Sequence, residues 1–293
     1  MEKNKLRDLW EVKNRPLLLD GAIGSLLQNK GAIGLPSYLW TSGIVLTNRE
    51  SIREIHLQYL QAGADIITTN TFRLGNTNST LDTKLIQQII STEMTILNEL
   101  KPDFTFLIAG SNGPAEDCYQ KVRKISHSQL MEKHKRVIDT LWESGVDFVL
   151  NETLSHFDEI LFTSQYCFEN NIEYVPSIYL DGTGRLLSGE PITEILEEIL
   201  KYQPAAISVN CISLSTFSKI YESLTNFESP FGFYLNCGLS DINSSVISDV
   251  LSPQTYSDFV KYYLQYNPVF VGSCCGSTPE HTKKMRILID ELY

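Results

Sequence analysis

Short apolar runs rich in β-branched and aromatic residues recur along this chain, separated by longer segments whose apolar residues return every three or four positions. That alternation marks βα units feeding a parallel sheet. Eight runs are found: PLLLD (16–20), ADIITTN (64–70), FTFLIAGS (104–111), DFVLNE (147–152), EYVPSIYL (173–180), AAISVNC (205–211), FGFYLNC (231–237) and PVFVGSC (268–274). Eight such units close on themselves as an α/β fold, the TIM (βα)8 barrel. A length of 293 residues is ordinary for one barrel and no low-complexity linker divides the chain, so a single domain over 1–293 is expected.

The helices between the runs are legible as well. SIREIHLQYLQAG places Ile52, Ile55, Tyr59 and Leu60 on one face and stops at Gly63, and SQLMEKHKRVIDTLWESG stops in the same way at Gly145. The segments after these two helices nearly repeat each other, because GADIITTNT (63–71) and GVDFVLNET (145–153) share a glycine, an aspartate, an apolar run and a final threonine. The repeat sets Asn70 against Glu152. It reads either as internal duplication or as common helix-to-strand punctuation, and the βα rhythm stands under both.

Charge narrows the partners. A net charge of −11, with no lysine/arginine cluster, argues against nucleic acid, since phosphate binding needs a basic surface. The polar N-terminus lacks the apolar core of a signal peptide, and no stretch of about 18 apolar residues suggests a membrane span. A cytoplasmic protein is expected, and in a reducing compartment its six cysteines are expected as metal-binding, catalytic or buried thiols rather than disulfides.

Active sites of such barrels gather at the C-terminal ends of the strands. Asp20, Asn70, Ser111, Glu152, Cys211, Asn236 and the pair Cys274 and Cys275 all fall there. Adjacent cysteines do not readily bridge each other, because their Cα atoms lie about 3.8 Å apart where a relaxed disulfide wants roughly 5.5 Å. The small residues around them (Gly272, Ser273, Gly276, Ser277) leave the backbone free to turn both sulfurs toward one point. Cys211 adds a third thiol, and a zinc ion with three protein ligands and an open fourth position is the natural hypothesis. Buried structural thiols are the alternative, and Cys237 could complete a four-cysteine or iron–sulfur centre instead. Cys118 and Cys167 lie in loop or helix and read as inert. No histidine falls at an expected strand end, so a hydrolase triad is not indicated, and all five read as helix-surface or capping residues. The glycine-rich DGTGRLLSGEP (181–191) lacks the dinucleotide fingerprint and reads as a loop.

The segments LLLDGAIGSLLQ (17–28), HLQYLQAGADIITTNTF (56–72), AGSNGP (109–114), GVDFVLNET (145–153), SVNC (208–211) and GSCCGSTPEH (272–281) together resemble the homocysteine S-methyltransferase family, across essentially the whole chain. The resemblance implies a zinc-dependent enzyme that moves a methyl group onto the thiol of homocysteine, giving methionine. Cys211, Cys274 and Cys275 match the family's zinc ligands. Asp20 and Glu152 match the acids placed around the amino group of homocysteine, the loop beside Glu152, with Thr153, would hold its carboxylate, and Asn70 and Ser111 complete the substrate-binding set. No residue is assigned to acid–base catalysis. A free thiol is mostly protonated at neutral pH, and coordination to a metal removes that proton.

Two departures from the family pattern stand out. Ser273 occupies the place of a second glycine before the cysteine pair, which would strain the loop if a positive φ were needed there. After Gly113 the chain runs GPAEDC, acidic where the family usually continues Gly-Pro-Tyr-Gly. That loop borders the expected entry of a methyl donor. An acidic chain with an anionic site suits a cationic sulfonium, S-methylmethionine first and S-adenosylmethionine second. Betaine or a separate corrinoid protein is the alternative donor. A catalytically inactive barrel that binds thiol or zinc is a further reading. An aldolase or lyase barrel ranks last, because no lysine stands at a strand end.

Overall fold

The computed structural model describes residues 4–29, 31, 39–75, 83–238 and 249–293. All eight expected strands form: β1 (Leu17–Leu18), β2 (Ile66–Thr68), β3 (Leu107–Asn112), β4 (Phe148–Leu154), β5 (Tyr174–Ile178), β6 (Ile207–Asn210), β7 (Phe231–Leu235) and β8 (Phe270–Ser273). They pair in parallel in the order β1-β8-β7-β6-β5-β4-β3-β2. The remaining seam, between β1 and β2, is bridged at Leu19 and Ile66 and by the hydrogen bonds Asp65 N to Leu18 O (2.7 Å) and Asp20 N to Ile66 O (2.9 Å). The result is a TIM (βα)8 barrel.

The helices are α1 (Lys5–Lys13), α2 (Ile23–Asn29), α3 (Ile44–Thr47), α4 (Arg49–Gln61), α5 (Thr83–Leu100), α6 (His127–Glu143), α7 (Phe157–Glu169), α8 (Ile192–Ile199), α9 (Leu214–Thr225), α10 (Pro253–Leu264) and α11 (Pro279–Leu292). Helix α4 buries Ile52, Ile55, Tyr59 and Leu60 as its spacing predicts. Period-two alternation along each strand sends one set of side chains inward: Leu17, Ile66, Ala109, Phe148, Leu150, Val175 and Phe270 fill the barrel interior. The opposite set packs against the helices. Leu6 of α1, a helix the sequence reading did not anticipate, is fully buried and joins the interior cluster.

The near-repeat has a local explanation. Gly63 and Gly145 end their helices at φ +98° and +90°, values a side chain would strain. The aspartates two residues later each accept a backbone N–H from the neighbouring strand: Asp65 from Leu18 at 2.9 Å and Asp147 from Ile108 at 2.7 Å. Both also take cations, Arg15 on Asp65 and Lys5 on Asp147. The shared residues thus tie helix to strand at the N-terminal end of the barrel, and punctuation accounts for them. The segment 181–191 is a loop, as expected, crossed by one bridge between Arg185 and Pro191.

The histidines differ from expectation. His56 and His134 are fully buried rather than on helix surfaces, because each has a carboxylate partner on the next helix: Glu93 for His56 (2.7 Å) and Glu159 for His134 (2.8 Å). The same carboxylate oxygens accept backbone N–H groups from loops at the barrel mouth, Asn70 on Glu93 (2.9 Å) and Ala115 on Glu159 (2.8 Å). His281 does cap its helix, accepting from Thr278 N at 3.2 Å.

Candidate active site

The strand ends open into a cavity of about 470 Å³, walled by Asp20, Trp40, Phe72, Arg73, Glu152 and Tyr234 together with the cysteine cluster. That volume is typical of small-molecule sites.

The cluster is assembled by three strand ends. Cys211 follows β6 with its backbone at φ +55° and donates its N–H to Tyr234 O of β7 (3.0 Å). Cys274 follows β8 and is tied to β7 through its N–H to Leu235 O (2.7 Å), while the carbonyl of Cys275 accepts from Cys237 N (2.9 Å). The turn is made by Gly276 at φ +81°. Ser273 instead lies in β8 opposite Leu235, with no positive φ, so the serine is accommodated as an ordinary strand residue. Gly272 is the position where size matters, since a Cβ there would stand 2.8 Å from Leu19 Cβ.

The three sulfurs lie within 4.8 Å of one another, close enough to share a metal. In the structure Cys211 and Cys274 are joined as a disulfide, a pairing the reading of these cysteines as thiols did not foresee, with Cys275 Sγ 3.5 Å from Cys211 Sγ. Burial pushes the Cys275 thiol up to about 11, Glu152 adding to the rise and Arg73 opposing it. Reduced, the set offers three soft sulfur donors, which suits zinc. Cys237 is fully buried outside that cluster, its thiol turned toward Leu235 O.

Asp20 is buried and accepts Thr68 N–H at 2.9 Å and the Thr68 hydroxyl at 3.0 Å. Burial raises its carboxyl well above the ordinary range, the charges of Glu152 and Glu93 add to that, and the Thr68 bonds oppose it. Glu152 is raised too, by burial, against hydrogen bonds from Ser111 Oγ and Tyr234 OH. It faces the cavity because β4 changes register between Asn151 and Leu154. Thr153 takes φ +61° in that bulge, a costly conformation for a β-branched residue. Asn210 holds it there, accepting Thr153 N–H at 3.0 Å and donating to its hydroxyl at 2.7 Å.

The Thr-Asn-Thr sequence after β2 is likewise structural in part. Thr69 Oγ1 accepts Ser111 N–H (2.9 Å) and Thr71 Oγ1 donates to Ser111 O (2.6 Å), fixing Ser111 under Glu152. Asn70 lines the cavity, but its amide is engaged with Thr41, donating to the carbonyl at 2.9 Å and accepting from the hydroxyl at 3.3 Å. Thr41 follows Trp40, whose ring covers Gly24 so closely that a Cβ there would stand 2.2 Å from it. Sequence reasoning missed Tyr234 and Arg73. For Tyr234 a signal existed, because alternation along β7 turns it inward beside the interior cluster, leaving a hydroxyl at the mouth.

Asp20 makes a pH-dependent prediction. A carboxyl raised by folding favours the neutral form in the folded state, so its contribution is present below the unfolded value of about 3.9 and is lost as pH rises through the folded value. Asp20→Asn cannot ionise. In thermal unfolding of metal-free protein the variant should melt above the native chain at pH 8, the gap closing as pH falls. A gap independent of pH would remove the desolvation argument.

The homocysteine S-methyltransferase family model matches residues 17–289. A homocysteine S-methyltransferase of Escherichia coli (strain K12) is 25% identical over 305 residues, covering 95% of this chain and 96% of the relative. The homocysteine S-methyltransferase YbgG of Bacillus subtilis (strain 168) is 24% identical over 294 residues, covering 92% and 93%. In fold, the chain superposes on the metallated form of the homocysteine methyltransferase MmuM from Escherichia coli with a TM-score of 0.80 at 23% identity, covering 96% of this chain and 99% of that one. The oxidized form of the same protein gives 0.80 at 24% identity, covering 97% and 99%. The chain therefore belongs to the homocysteine S-methyltransferase family.

Proposed function

We propose that this protein transfers a methyl group from a sulfonium donor, S-methylmethionine before S-adenosylmethionine, to the sulfur of homocysteine, giving methionine, at a zinc site formed by Cys211, Cys274 and Cys275. The observation that carries the reading is the convergence of three sulfurs within 4.8 Å at one wall of a cavity that also presents Asp20 and Glu152. Zinc held there would supply the Lewis acidity that keeps a substrate thiol deprotonated at neutral pH. The Cys211–Cys274 bond must take up two electrons, freeing both thiols, before the three can act as ligands.

The chain's own groups bind and orient. Asp20 and Glu152 receive the ammonium group of homocysteine. Ser111 and Tyr234 fix the Glu152 carboxylate, Thr153 in its bulge borders the carboxylate end, and Asn70 acts through Thr41. The homocysteine sulfur attacks the donor's methyl carbon in line, the carbon–sulfur bond of the sulfonium breaks, and its electron pair stays on the departing thioether. No proton moves to carbon. Rate is therefore gained by positioning two molecules in one cavity. The acids Asp20 and Glu152 on the wall suit a cationic donor, which favours sulfonium or betaine over a corrinoid.

The test is methionine formation from homocysteine by reduced, zinc-loaded protein given S-methylmethionine, S-adenosylmethionine, betaine or methylcobalamin. Turnover with a sulfonium is expected. Turnover with betaine or methylcobalamin alone would overturn the donor, and none with any donor on a zinc-replete sample would leave a barrel that only binds thiol or metal.

A further inference from the structure

The cavity contains a charge that the transfer to homocysteine does not use. Among the described residues that line it, Arg73 is the sole cation. Its guanidinium lies 5.9 Å from the Trp40 ring centroid and 5.5 Å from that of Phe72. Aromatic rings shield the planar faces of such a group and leave its edge as the polar surface. Among the described residues the one acid near that edge is Asp117, at 3.7 Å, beyond ordinary hydrogen-bond reach. Asp117 is half exposed, and one of its oxygens already accepts Tyr119 N–H (2.9 Å). A mostly buried guanidinium, with 22% of the side chain exposed, is thus held in place with its donor edge incompletely used.

We propose that Arg73 is a specificity-determining residue that anchors the carboxylate of the methyl donor, restricting the donor to carboxylate-bearing onium compounds. The inference rests on the methyl-transfer reading above. Two amino-acid-like substrates bring two carboxylates to a cavity whose other charged groups, Asp20 and Glu152, are acids. The homocysteine end is defined by those acids, whose surroundings are Thr68, Ser111, Tyr234 and one another. Arg73 stands elsewhere, against Trp40, Phe72 and Asp117. It therefore offers a carboxylate a separate anchor within the same cavity. Planar guanidinium-to-carboxylate pairing is bidentate and geometrically selective. The same loop neighbourhood carries the acidic stretch Glu116–Asp117.

Arg73→Gln and Arg73→Lys decide the matter, compared with the native protein at equal metal content and melting temperature. Arg73→Gln should raise the KM for S-methylmethionine about 10- to 100-fold, the worth of a charge-assisted contact, while the KM for homocysteine stays within about twofold. Lysine, a point charge without the fork, should recover part of that loss. The preference for S-methylmethionine over ethyldimethylsulfonium, which has no carboxylate, should collapse by the same factor. An unmoved donor KM, or a shift in the homocysteine KM instead, overturns the proposal. Calorimetric binding of S-methylmethionine to both proteins separates the two layers. Binding that depends on Arg73 without any methionine formed keeps this inference and sinks the reaction, turnover with binding indifferent to Arg73 does the reverse, and no binding to the native protein ends the inference.

Discussion

Cys274→Ser should leave the protein unable to retain zinc through dialysis and without detectable methyl transfer, whereas Cys237→Ala keeps both. The two residues lie just past the ends of neighbouring strands, β8 and β7, yet their surroundings differ. Cys274 is one of three sulfurs within 4.8 Å, and a serine hydroxyl does not deprotonate to replace a thiolate ligand. Loss of a supporting contact costs about 10- to 100-fold in metal affinity, and loss of a ligand should exceed that. Cys237 is buried beside Leu235 O, and its link to the cluster runs through its backbone N–H on Cys275 O, which alanine preserves. Metal content by atomic absorption, measured on reduced protein beside a chelator of known affinity, checks the pair. Stoichiometric zinc in the Cys274→Ser variant would falsify the three-thiolate centre.

Glu152→Gln should raise the KM for homocysteine roughly 100- to 1000-fold with a much smaller effect on kcat. Two costs combine. The ammonium group loses a countercharge beside a buried side chain, and one carboxyl oxygen becomes an NH2 that cannot accept. Ser111 and Tyr234 both donate to this carboxylate, so one of them is left unpaired. A charged hydrogen bond is worth about 1.5–3 kcal/mol and an orphaned buried donor about 1–3 kcal/mol, together about 2.5–6 kcal/mol, of which the lower half corresponds to that range because part of the orphaned donor's cost is already present in the free protein. Steady-state kinetics with homocysteine varied at saturating donor reads it directly. A fall in kcat at constant KM would assign Glu152 to the chemical step instead.

The barrel was legible because each strand is a short run of residues that suit a pleated, buried environment, and each strand's last residues are where chemistry collects. Asp20, Ser111, Glu152 and the three cysteines could be placed from that register alone. What escaped were features in which tertiary contacts override local preference. Nothing in Thr153 signals a positive φ, since a β-branched residue disfavours it and only Asn210, far along the chain, stabilises it there. His56 and His134 sit on amphipathic helices and pass for surface residues until Glu93 and Glu159 arrive from the next helix. Arg73 belongs to a loop, where sequence spacing assigns no direction to a side chain. The joining of Cys211 to Cys274 depends on an approach across 63 residues of chain that neighbouring-cysteine geometry does not address.

The two buried histidine–glutamate pairs bear on how much disorder the enzyme surrenders when it binds. Each pair reaches past its helices to hold a backbone N–H at the mouth, Asn70 in one case and Ala115 in the other. Ordering one free residue costs about 1–2 kcal/mol in backbone entropy, and at these two points that cost is met during folding rather than at each encounter with substrate. Rigidity installed in advance leaves more of the interaction energy to appear as affinity. On these two walls of the cavity, discrimination between ligands then falls to charge and shape rather than to the closing of a loop.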